Sequence, residues 1–237
     1  MKSTILEKIP EYFSASAIPY APPGEDEAVI VIANKDDIKA LKLPPDELWR
    51  AEKITHFESR NRYLAGRYIL RSILSQWSGL NPENIQLALN SAGKPYFLQT
   101  NMPCFSLSHT DDVIAVVFAS KPVGIDVERE RELDIPALSR RFFSQVEADF
   151  LASSNSVGDF FRLWCCREAA IKGDGRGLAA LLGSTTAEFS DSTGEGDILV
   201  VIEDAVWRAI PWKLRGAMHG AVAFQHVPSV IRWCDLR

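Results

Sequence analysis

The sequence predicts an α+β fold laid out as two halves in succession. Helix-like and strand-like segments each occur in two sets, the sets change over near Lys121, and no fixed-period repeat runs through the chain. At 237 residues either one large domain or two compact halves fits, so the division rests on local pattern: residues 1–120 and residues 121–237. Apolar residues make up 46% and charged residues 24%, which allows a sizeable core and excludes the composition of a disordered chain.

Taken in order, residues 1–13 place Glu7, Lys8, Pro10 and Glu11 where the apolar core of an export signal would lie, so no leader is expected. Residues 19–23, with three prolines, read as a loop before a strand at 28–33. A helix is expected over 45–77: it opens after Pro44-Pro45, repeats Tyr63, Leu70, Ile73, Leu74 and Trp77 at helical steps, and stops at Gly79. Arg60, Arg67 and Arg71 share another face of it, which reads as solvated. Short strands follow at 85–89, 104–107, 113–119 and 122–127, the last two separated by Ser120-Lys121. Helices are then expected at 137–143, 145–152 and 158–172, the third stopped by Gly173. A second set of strands is expected at 188–190, 198–203, 205–210 and 220–225.

Composition narrows the function classes. The most apolar runs, 28–33 and 113–119, fall far short of the ~18 residues of a membrane span, so a soluble protein is expected. A formal charge of -5 offers no general attraction to nucleic acid or anionic membrane; a phosphate-rich ligand would need a local cluster of cations. Cys165 and Cys166 are adjacent, Cys104 and Cys234 isolated, and no CxxC pair suggests a metal or redox site, so reduced thiols in a cytoplasm are the simplest reading.

Two stretches carry chemistry. In a strand, Asp126 and Glu128 of Gly124-Ile-Asp-Val-Glu128 project to one side, about 7 Å apart at Cα. Such a pair repels itself unless it is solvated or binds a cation, which leaves an exposed edge and a metal site as alternatives. On a helix, Trp164, Glu168 and Lys172 form one stripe at four-residue steps. Taken alone, Glu168 and Lys172 read as an ordinary surface pair worth about 0.3–0.5 kcal/mol. The run from Gly173 to Gly177 follows a helix instead of joining a strand to one, so it is a helix stop and loop, not a dinucleotide fingerprint. Phe142-Phe143 reads as core.

Together the two stretches resemble the signature of the phosphopantetheinyl transferase superfamily, in its longer Sfp-type branch. Arg62-Tyr-Leu-Ala-Gly66, Gly93-Lys-Pro95, Phe105-Ser-Leu-Ser-His109 and Arg141-Phe-Phe-Ser-Gln-Val-Glu147 extend the likeness over residues 60–178. The resemblance implies two similar α/β halves related by a pseudo-two-fold axis, a monomer, and coenzyme A in the cleft between halves. It implies Mg²⁺ on Asp126, Glu128 and Glu168, a set that suits an ion preferring oxygen ligands and substrate phosphate. Arg62, Lys94 and His109 would serve the nucleotide end, Ser108 would assist by hydrogen bonding, and Lys172 would reach the diphosphate. Glu168 would accept the proton of a serine on an acyl or peptidyl carrier protein, the partner. Arg167 stands where the family usually has lysine; charge is kept and shape is not. The alternative is a non-catalytic coenzyme A- or carrier-binding protein of the same fold, which the intact acidic triad disfavours. A metal-dependent phosphodiesterase ranks last, for want of further ligands.

Overall fold

The computed structural model describes residues 21–98, 102–177, 184–189 and 196–236. The expectations for residues 1–20, for Leu178 and for Ser190 lie outside them. The fold is mixed α and β, as expected, and its order can be followed through two sheets. The first has strands in the order β11-β1-β5-β4: β1 is Glu27–Asn34, β4 Cys104–Thr110, β5 Val113–Ala119 and β11 Val230–Asp235. The second runs β6-β10-β9-β8-β7: Val123–Arg129, Met218–Phe224, Ala205–Leu214, Ile198–Ile202 and Thr185–Phe189, every pairing antiparallel. A small hairpin pairs β2 (Leu87–Leu89) with β3 (Pro95–Phe97). The helices are α1 (Pro45–Lys53), α2 (Phe57–Ser78), α3 (Ile135–Phe142), α4 (Gln145–Ser154) and α5 (Val157–Asp174).

The continuous apolar runs of β1 and β5 are explained by burial on both faces. Val29, Val31, Ile114, Val116 and Phe118 pack under Ile69, Leu70, Ile73 and Leu74 of α2. The alternate residues Ala28, Ile30, Ile32, Ala115 and Val117 face Ile125, Val127, Val222 and Phe224 of the second sheet. That sheet's far side, through Ala209, Ala221 and Ala223, meets Phe160, Ala169 and Ala170 of α5. The layers are therefore helix, sheet, sheet, helix, with the alternation of side chains along each strand assigning the two cores.

The sheets also meet edge to edge. Edge strand β6 presents N–H groups with no neighbouring strand, and β4 answers with side chains. The amides of Ile125, Val127 and Arg129 donate to the hydroxyls of Ser106 (3.2 Å), Ser108 (3.4 Å) and Thr110 (3.3 Å). Three hydroxyls at alternate positions thus satisfy an edge that would otherwise be left open.

Several boundaries differ from the sequence-based expectation. The helix expected over 45–77 is broken at 54–56, where β-branched Ile54 and Thr55 precede His56, whose side chain caps α2 by accepting from the Ser59 amide at 3.3 Å. Arg71 is not on a solvated face. Its guanidinium is buried, bound to Glu47 of α1 at 2.8 Å and to the carbonyls of Pro82 and Ile85. Helix α5 runs through Gly173 and ends at Gly175, which adopts the left-handed φ of 83° that glycine accepts most readily. Strands β3 and β11 were not anticipated: β3 is three residues long, and β11 lacks clear alternation. β11 lies parallel to β1, Glu27 opposite Val230, and so returns the end of the described chain to the first sheet. Among the described residues no helix is long and apolar enough to cross a membrane.

Candidate active site

Strand β6 and helix α5 lie unusually close because Gly124 has no side chain. A Cβ there would stand 1.8 Å from the Ala169 carbonyl oxygen and 2.4 Å from the Gly173 nitrogen. This backbone approach brings Asp126, two residues along β6, to the stripe of Trp164, Glu168 and Lys172 on α5. The Lys172 ammonium lies 2.5 Å from Asp126 Oδ1 and 3.8 Å from Glu168 Oε2, and donates to Ser108 Oγ at 2.9 Å. Ser108 in turn donates to Asp126 Oδ1 at 2.7 Å. Strand β4, strand β6 and helix α5 therefore converge on one buried polar knot. Asp126 and Glu168 are buried, not on an exposed edge, and Lys172 prefers Asp126 to its helical neighbour Glu168.

The electrostatics follow from this crowding. Burial pushes Glu168 up to about 8; Asp126 and Glu128 add to the shift, and Lys172 and the Trp164 indole oppose it. Burial and Asp126 also raise Glu128, against Arg131, whose Nη1 lies 2.8 Å from Glu128 Oε2. For Lys172 burial works against the charge, but Asp126 and Glu168 outweigh it and the ammonium is held above its usual range. Asp126 Oδ2 is buried with no hydrogen-bond partner, an orphan acceptor pointing to a group still to be supplied.

Beside the knot a cavity of about 340 Å³ is lined by Tyr63 and Arg67 of α2, by Lys94, by His109 and by Lys172. Of the residues singled out for a nucleotide, His109 faces this space, with its pKa lowered by partial withdrawal from water and further by Lys172 and Arg62. Lys94 lines it too, but its ammonium donates to the carbonyls of Gly173 (2.9 Å) and Val123 (3.4 Å), tying the β2–β3 hairpin to the end of α5. Asn90 reinforces the tie by donating to the Gly175 carbonyl at 2.7 Å. Arg62 is not among the lining residues and donates to Ser59 Oγ at 3.1 Å. Sequence reasoning missed Tyr63 and Arg67 as cavity residues. Arg67 lies over the Tyr63 ring at 5.0 Å, and Gly66 between them lets Leu107 approach within 3.2 Å of where a Cβ would be. The signal was present as Tyr63 and Arg67 four residues apart, but the apolar pattern assigned Tyr63 to the core and Arg67 to a solvated face.

Arg167, next to Glu168, takes no part in this knot. Its buried guanidinium pairs with both Glu147 oxygens at 3.4 Å, donates to the Thr185 carbonyl at 2.9 Å and lies 4.7 Å over the Phe143 ring. Glu147 also closes the capping box of α4 by accepting from the Ser144 amide at 2.7 Å. The residue fixes α5 against α4. Arg167→Ala is expected to cost about 3–5 kcal/mol, because it leaves the Glu147 carboxylate buried without its cation; urea denaturation measures this, and a loss under about 1 kcal/mol would mean that the pair is readily replaced by solvent.

Residues 122–222 match the family model of the 4′-phosphopantetheinyl transferase superfamily. Over 60% of this chain and 63% of its own length, the 4′-phosphopantetheinyl transferase HetI of Nostoc sp. is 37% identical. The 4′-phosphopantetheinyl transferase Sfp of Bacillus subtilis is 27% identical over 69% of this chain and 72% of its own, and psf-1 of Bacillus pumilus 34% identical over 60% and 61%. The matched stretch thus spans less than two thirds of the first and the third of these relatives. Residues 122–222 contain Asp126, Glu128, Glu168 and Lys172, and of these Asp126, Glu168 and Lys172 meet at the junction of β6 and α5.

Proposed function

Because the chain belongs to the 4′-phosphopantetheinyl transferase superfamily, we propose that it moves the 4′-phosphopantetheine group of coenzyme A onto a serine of a carrier protein, releasing 3′,5′-adenosine diphosphate. The observation that carries this reading is the buried knot of Asp126, Glu168, Lys172 and Ser108 beside a cavity rimmed by Arg67, Lys94 and His109. Cations gathered locally on an acidic protein suit a ligand with a diphosphate and a further phosphate. In this reading residues 1–120 supply most nucleotide contacts, and residues 121–237 supply the carboxylates and the carrier contacts. All four cysteines are free thiols, which suits a cytoplasmic enzyme.

Mg²⁺ fits the donor set. Asp126 Oδ2 is an unpaired buried oxygen, and burial, reinforced by the neighbouring Asp126 carboxylate, raises Glu168 and Glu128. Among the described residues no three such groups are gathered around one point; Lys172 pairs with Asp126 and Arg131 with Glu128. Asp126, Glu128 and Glu168 would hold the ion, which when bound would neutralise charge on the diphosphate. The remaining chemistry belongs to the chain. Lys172, held beside Asp126 at the edge of the cavity, would stabilise the charge left on the departing diphosphate oxygen. Glu168 accepts the proton from the carrier serine as its oxygen bonds to phosphorus and the bond to adenosine diphosphate breaks. Ser108 keeps Asp126 oriented through its 2.7 Å bond.

The test is incubation with coenzyme A, Mg²⁺ and a panel of unmodified carrier proteins. A mass gain of one phosphopantetheine on a carrier is expected, abolished by chelator and restored by Mg²⁺. If no carrier gains mass while coenzyme A still binds, the chain is a binding protein of this fold.

A further inference from the structure

Arg131 has no place in the chemistry above, yet it touches the cluster at its most open point. Its Nη1 lies 2.8 Å from Glu128 Oε2 and 3.3 Å from the Arg129 carbonyl, and its guanidinium lies 5.3 Å over the Phe161 ring. Phe161 is itself fully buried and stacked on His219 at 6.2 Å, so the platform under the arginine is rigid. The Arg131 side chain is 54% exposed, whereas Glu128 is 21% exposed and Asp126 only 2%. With Glu168 at 10%, Glu128 is the outermost of the three carboxylates, and the one where an ion arriving from solvent meets an exposed arginine.

Resting on the cation-binding reading above, we infer that Arg131 sets the divalent-cation affinity of the cluster by occupying Glu128 in the metal-free protein. The charges acting on Glu128 are Asp126, Arg131 and Lys172. Lys172 is bound to Asp126 and acts on Glu128 only at a distance, so Arg131 is the cation in direct contact that offsets repulsion at Glu128. An incoming ion must share that carboxylate with the guanidinium or displace it. The arginine therefore stabilises the empty site and weakens the filled one. Because the pair is half in water, its influence is moderate and screened by salt.

The experiment is calorimetric titration of Mn²⁺ and Mg²⁺ into the chelator-stripped full chain, wild type beside Arg131→Gln and Arg131→Lys, without coenzyme A or carrier. Arg131→Gln is expected to bind Mn²⁺ about three- to tenfold more tightly, the size of one partly solvated charge interaction, with the gain shrinking as ionic strength rises. Arg131→Lys should stay close to wild type, and both variants should remain folded given the exposure of the site. Unchanged or weaker Mn²⁺ binding in Arg131→Gln, with wild type binding normally, overturns the inference and leaves the cation site standing. Absence of Mn²⁺ binding in all three proteins overturns the cation site and the inference together.

Discussion

Glu168→Gln should abolish carrier modification, with turnover falling on the order of 10³-fold or more, while the protein stays folded. A proton acceptor in the transition state is worth 10²–10⁴-fold, and the same substitution removes one of three ion-holding carboxylates. Folding should survive because the amide is close in shape and burial already disfavours the charged form of this side chain. The Trp164 indole can still donate to the amide oxygen. Coenzyme A binding measured without added Mg²⁺ should change little compared with turnover, since Glu168 is not among the residues that line the cavity. Rate measured by carrier mass, affinity measured by calorimetry and a thermal unfolding curve separate these effects. Near-normal turnover in a folded variant would remove Glu168 from the mechanism.

Gly124→Ala should be the most damaging single methyl group that can be added near the site. The new Cβ would meet backbone atoms of α5, the Ala169 carbonyl oxygen at 1.8 Å and the Gly173 nitrogen at 2.4 Å, and neither is the end of a side chain that can swing aside. Relief requires β6 and α5 to move apart, which separates Asp126 from Lys172 and Glu168. A loss of about 4 kcal/mol or more is expected, above the usual overpacking cost of about 1–3 kcal/mol because the clash is with backbone, together with loss of transfer at temperatures where the variant is still folded. Gly79→Ala is the control. That glycine has φ 72° with nothing within 4 Å of an added Cβ, so only backbone strain is introduced, costing about 1 kcal/mol. If urea midpoints shift equally in the two variants, β6 and α5 are not packed as closely as their backbones indicate.

The legible part of the site was periodic. Asp126 and Glu128 repeat at the strand period, and Trp164, Glu168 and Lys172 repeat at the helix period, so local geometry alone aligned each set. The apolar runs of β1 and β5 were legible for the opposite reason, because a strand covered on both sides needs no polar alternation. Arg71 and Arg167 were not. Their partners, Glu47 and Glu147, stand 24 and 20 residues away, and a buried arginine looks the same in sequence as a solvated one until the carboxylate that neutralises it is in place. Lys94 shows the converse: its motif marked it for a ligand, and its ammonium also serves two backbone carbonyls across the hairpin.

Residue order, through its periods of two and nearly four, was therefore enough to establish the α+β class, the acidic pair, the Glu-Lys stripe and their likeness to one enzyme family. Packing in three dimensions supplied the rest. It joined β6 to α5 through the missing side chain of Gly124, and bridged two sheet edges with Ser106, Ser108 and Thr110. It also seated Lys172 on Asp126 and returned β11 to lie parallel with β1. Each of these depends on atoms far apart along the chain reaching hydrogen-bond or van der Waals distance, and no periodicity within a window of residues encodes a distance of that kind.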